Sequence, residues 1–192
     1  MKKKANTAVD IHPLISERWS PRSFDATAEL GVPDLTGIME AARWAPSSMN
    51  SQPWRFVIAR RGDAHFATLI DSMSGFNKVW APKASALIMV LADTTDQSGE
   101  PRLGALYDAG LAASLLTVEA HHRGLVVHQI GGFEHAQAVA AFNLPANLTP
   151  IVILAVGKQA PADALGEATL VEREIADRVR KPLDELIVGG SL

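Results

Sequence analysis

Cysteine is absent from this 192-residue chain. Its absence excludes disulfide bonds, thiolate metal sites and a cysteine nucleophile, and it suits a reducing, cytoplasmic setting. An excess of one charge is missing as well. Eighteen Lys and Arg stand against 21 Asp and Glu, a formal net charge of −3, so there is no electrostatic case for nucleic acid as the main partner. No apolar run approaches the roughly 18 residues that suggest a membrane span. Lys2-Lys3-Lys4 leads into Asn6, Thr7 and Asp10, which is not a signal segment. The Gly-x-Ser-x-Gly, Gly-x-x-x-x-Gly-Lys and Gly-x-Gly-x-x-Gly signatures are all missing. The six histidines include the neighbours His121 and His122, which point apart on a helix, and no His-Glu-x-x-His occurs. No metal site is expected.

What is present is ordinary in bulk: 47% apolar and 20% charged residues. The length suits one domain, 1–192, with a sizeable core. Residues 1–10 read as a flexible tail and 158–192 as a more polar C-terminal extension. No repeat or linker interrupts the chain.

Periodicity sets out the elements in between. A short helix is expected over 11–20, ended by Pro21. Pro33 and Asp34 suit a first helical turn, and Leu35, Ile38, Met39 and Ala42 follow at helical spacing, so 33–44 is a helix. A strand at 54–59, a helix near 63–73 and an irregular 77–82 come next. Residues 85–92 form a continuous apolar run, the mark of a strand buried on both faces. After a polar loop at 93–101, the main candidate for a substrate lid, 102–123 is helical and apolar on most sides. Such a helix is buried all round, between a sheet and a second covering body such as another subunit. Gly124 suits its C-cap. Strands at 125–128 and 150–156 flank a helix at 134–142. These elements describe an α+β or mixed α/β layer in which helices cover a sheet.

One stretch does not read as simple scaffold. Ala45-Pro46-Ser47-Ser48-Met49-Asn50-Ser51-Gln52-Pro53-Trp54 packs hydroxyls and carboxamides between two prolines. It is a stiff loop able to hydrogen-bond a planar, heteroatom-rich ligand. Arg18 and Arg22 flank Ser20, a suitable set of donors for a phosphate, and Arg178 and Arg180 form a second cationic pair. Taken alone, either pair is more often a solvated surface. Gly131-Gly132 allows close approach of a backbone to a ligand, or simply a tight turn. His128 beside it faces a ligand or is a hydrogen-bonded structural histidine.

Together these features resemble the FMN-dependent nitroreductase family, over about residues 11–188. The 45–54 stretch is similar to the family's Pro-Ser-Ser-x-Asn-x-Gln-Pro-Trp loop. Arg18-Trp19-Ser20-Pro21-Arg22-Ser23-Phe24 resembles its Arg-[Arg/His]-Ser-x-[Arg/Lys]-x-Phe phosphate motif, with Trp19 where a second basic residue is usual. Ile130-Gly131-Gly132-Phe133-Glu134 resembles its Gly-Gly-Phe-[Asp/Glu] segment. Gln129 stands where many members have Pro, and Gly131 where some have Glu.

The resemblance implies a central mixed, mainly antiparallel β-sheet flanked by helices, in an intertwined homodimer with FMN at the subunit interface. One subunit would contribute Arg18, Ser20, Arg22, Asn77, Gly131, Gly132, Arg178 and Arg180. The other would contribute Pro46, Ser47, Ser48 and Asn50, and Trp19 and Gln52 are further candidate cofactor-binding residues. NADH or NADPH would reduce the flavin, and a small-molecule acceptor such as a nitroaromatic, quinone or activated alkene would reoxidise it in a ping-pong cycle. No side chain need act as acid, base or nucleophile. Reductive dehalogenation, flavin modification, or FMN binding without turnover are the alternatives on the same scaffold.

Overall fold

The computed structural model describes residues 3–190. Residues 1 and 2 of the expected tail, and 191 and 192 of the C-terminal extension, lie outside the described residues.

The apolar run at 85–92 is the centre of the fold. It forms β2 (Ala86–Asp93), of which only Asp93 escapes burial. β1 (Trp54–Arg60) pairs with one edge of it and β4 (Leu148–Gly157) with the other, and β3 (Val126–Ile130) lies outside β4. All three pairings are antiparallel. The β2–β4 register slips between Val90 and Leu91, where Val90 faces Val152 but Leu91 faces Pro150. Pro150 has no N–H for the ladder, and a bulge at that point accommodates it.

Alternation along the strands feeds two apolar layers. Ile88, Val90, Leu154 and Val156 pack with Ile38, Ala42 and Leu116, from α2 (Val32–Arg43) and α5 (Ala105–His122). Leu87, Met89, Ile153 and Ala155 pack with Phe66, Leu69, Met73 and Leu170 on the opposite face. That second layer draws on α3 (Ala64–Ser72), α6 (His135–Ala141) and α7 (Ala168–Ile175). The result is an α+β architecture with helices on both sides of an antiparallel sheet. Among the described residues, no helix is long and apolar enough to cross a membrane.

Several local expectations needed revision. The first helix, α1 (Pro13–Ser16), is shorter than 11–20, because the chain leaves helical geometry before Trp19. The irregular 77–82 holds two helical turns, α4 (Asn77–Trp80) and a 3-10 turn at Ala81–Lys83. They wrap Trp80, 1% exposed, whose ring lies 6.0 Å from Phe24 and 4.5 Å from His128.

α5 is buried on one side within the single chain and exposed on another. Ala109, Ala112, Leu116 and Ala120 are fully buried, but Tyr107 is 71% exposed and Leu106 53%. Small alanines let α2 lie close on one face, while Leu106 and Tyr107 stay exposed among the described residues. An apolar count along a helix cannot say how many layers will cover it. Gly124 ends the helix as expected, with φ of 68°.

The 93–101 loop is closed on itself. Asp96 Oδ1 accepts the N–H groups of Ser98 and Glu100, and Arg102 meets the Asp93 carboxylate at 3.0 Å.

Candidate functional site

After α1, residues 18–24 are held in place by contacts from distant elements. Ala160 N–H donates to Ser23 O and Asp25 N–H to Lys158 O. Ser23 Oγ donates to Pro161 O at 2.6 Å. From α7 the buried carboxylate of Glu174 accepts the Arg22 N–H at 2.8 Å and the Ser23 N–H at 3.2 Å. His128 Nδ1, on the edge strand β3, lies 3.0 Å from Pro21 O. A carbonyl only accepts, so this ring nitrogen carries the proton.

Fixed in this way, the turn presents Arg18, Trp19, Ser20 and Arg22 to a cavity of about 200 Å³. Lys3, Arg173, Asp177, Arg178 and Arg180 also line it. Residues from both ends of the chain therefore meet at one place. Arg178 Nη1 donates to Lys3 O at 2.6 Å and to Ser16 O at 2.7 Å. Arg18 Nη1 reaches Ser20 Oγ at 3.5 Å.

The cations crowd one another. Burial lowers the pKa of the Arg18 guanidinium from its ordinary value, and the charges of Arg178 and Arg180 lower it further. Burial does the same to Arg22, with Arg173 adding to the effect and Glu174 opposing it. Arg178 is lowered by burial and then by Arg180. Arginines keep their charge despite this, so the cavity gains by accepting an anion. His128 responds differently: burial, followed by the Arg22 charge, brings it down to about 4 against the opposing pull of the Pro21 and Ser20 backbone. It is a neutral structural donor.

A second group gathers where β3 ends. Ser74 N–H donates to Gly132 O at 3.0 Å, and Asn77 Nδ2 donates to the same oxygen at 3.2 Å. A Cβ on Gly132 would stand 2.9 Å from Asn77 Nδ2 and 3.2 Å from Ser74 Oγ, whereas one on Gly131 would meet nothing within 4 Å. Gly132 is thus needed for close approach, and Gly131 borders open space. Gly131 follows His128 by three positions, so about 10 Å of extended chain connects this group to the basic turn.

The 46–52 loop forms a third group. Asn50 N–H returns to Ser47 O, Ser47 Oγ accepts the Gln52 N–H at 3.0 Å, and Gln52 Nε2 donates to Asn50 O at 3.1 Å. Ser48 N–H donates to the buried Asp108 of α5 at 3.1 Å. Met49, Asn50 and Gln52 have φ of 51°, 54° and 47°, a left-handed geometry that costs roughly 1–2 kcal/mol per non-glycine residue. The loop's stiffness thus comes from this backbone and its hydrogen bonds as well as from Pro46 and Pro53. Pro46, Ser48, Asn50 and Gln52 are exposed. No residue of the loop lines the basic cavity.

Within one chain, then, the first group comes together, Asn77 joins Gly132, and the polar loop lines no part of the basic cavity. Lys3, Ser74, Arg173 and Glu174 were not anticipated as neighbours of the site. Lys3 sits in a lysine run that reads as tail, and Glu174 in a charged segment without a motif.

This is an antiparallel α+β fold with a cation-lined cavity beside its edge strand. Comparison with known proteins identifies the lineage. The pattern of the Nitroreductase family matches residues 15–88. A solved structure of an oxidoreductase containing FMN superposes with a TM-score of 0.89 at 31% identity, over 97% of this chain and 95% of that one. An uncharacterised 15.4 kDa protein of Mycolicibacterium smegmatis is 35% identical over 140 residues, 69% of this chain and 89% of its own length. The oxygen-insensitive NADPH nitroreductase of Helicobacter pylori is 40% identical over 77 residues, 40% of this chain and 36% of its own. The chain belongs to the nitroreductase family.

Proposed function

We propose that this protein is a cytoplasmic, homodimeric, FMN-dependent oxidoreductase. It takes electrons from NADH or NADPH and passes them to a small organic acceptor such as a nitroaromatic or a quinone. The observation that carries this reading is the cavity where Arg18, Ser20 and Arg22 meet Arg178 and Arg180.

The residues present fit the cofactor. A cavity of about 200 Å³ ringed by guanidinium groups and a serine hydroxyl suits a phosphate dianion. Asn77 is oriented by Gly132 O, which leaves its second N–H and its Oδ1 for ring heteroatoms. The open Cβ position at Gly131 lets a flat ligand lie against backbone. FMN, held there by Arg18, Ser20, Arg22, Arg178 and Arg180 at its phosphate, would supply the redox chemistry between the nicotinamide and the acceptor. The chain's own residues hold the phosphate, orient the ring and leave one face open, and no side chain is assigned a proton transfer.

Two features support the dimer. The outer face of α5 exposes Leu106 and Tyr107, and Trp44 (73%) and Met49 (97%) are exposed in and before the 46–52 loop. Exposed apolar residues such as these suit burial against a second subunit. No residue of the loop lines the cavity of its own chain, which fits service to a neighbour's cofactor.

The test is direct. Purified protein should be yellow, release FMN on denaturation, bleach anaerobically with NADH or NADPH, and elute as a dimer. A colourless protein that cannot take up FMN overturns the reading. A yellow protein that neither nicotinamide bleaches would instead be a binding protein on the same scaffold.

A further inference from the structure

We infer that Lys3 is itself a ligand of the phosphate in the basic cavity, so that the N-terminal segment belongs to the cofactor site. This rests on the reading of that cavity as the FMN phosphate site.

Composition alone makes residues 3–10 a tail, and none of them is in a helix or strand. The start of the segment is nevertheless tied down. Ala5 N–H donates to Ser16 O at 2.7 Å, and Lys3 O accepts from Arg178 Nη1 at 2.6 Å. The same guanidinium nitrogen bridges to Ser16 O at 2.7 Å, so Arg178 joins the N-terminal segment to the end of α1. The backbone of Lys3 is thus held by a residue that lines the cavity.

The Lys3 side chain is directed there too. Its ammonium lies 4.4 Å from the centre of the Trp19 ring and donates to Ala176 O at 2.5 Å. Trp19 and Ala176 both line the cavity, as does Lys3. An ammonium has three donors, and Ala176 takes one. Trp19 brings no charge to the cavity, and Lys3 places a cation against its face.

The charged groups that face Lys3 are Glu174, Asp177, Arg178 and Arg22. Burial lowers its pKa; the two acids oppose this and the two arginines add to it. An arriving phosphate dianion would relieve that cationic crowding.

The consequence is selective. Lys3 should favour flavin that carries a phosphate and be indifferent to the ring. The experiment titrates full-length apoprotein with FMN and with riboflavin, following flavin fluorescence, in wild type, Lys3→Gln, Lys3→Arg and Arg18→Ala. Lys3→Gln should weaken FMN about fivefold to tenfold, leave riboflavin within about twofold, and Lys3→Arg should restore most of the loss.

If Lys3→Gln binds FMN as wild type does while Arg18→Ala does not, the inference falls and the cofactor reading stands. If Lys3→Gln weakens FMN and riboflavin alike, the segment only packs, and the inference falls again. If wild type binds FMN no better than riboflavin, the phosphate reading itself falls and the inference with it.

Discussion

Oε2 of Glu174 accepts the backbone N–H of Arg22 at 2.8 Å, across 152 positions of sequence. Oε1 of the same carboxylate takes the next N–H, from Ser23, at 3.2 Å. An acid thus sits beneath a cluster of cations, bonded to backbone, and sets the course of the basic turn.

Glu174→Gln should therefore destabilise the protein. The amide can offer only one oxygen to two buried N–H donors, and its own NH₂ must face the other. A loss of about 1–3 kcal/mol is expected, the cost of an unsatisfied buried donor. Urea unfolding at neutral pH measures it, and an unchanged midpoint would show that the turn is held elsewhere.

The adjacent glycines should respond unequally. Gly132→Ala sets a methyl 2.9 Å from Asn77 Nδ2 and should displace that side chain, at about 1–3 kcal/mol of overpacking. FMN retention should fall with it. Gly131→Ala meets open space and should leave thermal stability unchanged. Equal effects of the two substitutions on melting temperature would contradict the geometry.

His128 predicts a pH dependence. Its pKa falls from 6.5 to about 4 on folding, so between those values the unfolded chain binds the extra proton. Stability is full above pH 6.5 and is lost as pH drops toward 4, by about 3 kcal/mol in all. His128→Gln should flatten urea midpoints across that window, leaving the carboxylate-driven fall at lower pH. A slope that persists unchanged in the variant would assign the effect to other groups.

Sharing of the cofactor site between subunits can be tested by mixing two defects. Arg22→Ala damages the phosphate side and Asn50→Ala the loop, so each variant alone should retain little FMN. In a mixed dimer one site carries both defects and the other carries neither. Coexpression should then restore about a quarter of the wild-type FMN content by random pairing. No recovery would place loop and cavity in the same subunit.

The sheet was legible because its signal is local. The run from Ala86 to Ala92 has no polar residue, and a strand lacking one has no solvent face to occupy. Gly124 and Pro33 marked helix ends for equally local reasons. The short turns around Trp80 were not legible, since four residues carry no helical period. The apolar surround of α5 read in sequence as a helix with a second covering body on one side, but Leu106 and Leu116 look alike there, and only the layers decide that one is half exposed and the other buried. The site divided in the same way. Arg18, Ser20 and Arg22 form a motif, but Lys3 and Glu174 matter through single contacts made across the whole chain.

Those long spans also bear on the order in which the molecule is built. The Arg178 contacts to Lys3 and Ser16 close loops of 175 and 162 positions, and the Glu174–Arg22 contact closes one of 152. Closing such a loop costs about 2 kcal/mol more than closing one ten times shorter. It is repaid only after the sheet and its helices bring the ends together. The basic cavity is accordingly among the last parts of the domain to form. A chain stalled in folding would hold its helices and strands yet have no grip on a phosphate, so retained flavin would report on whether folding had finished.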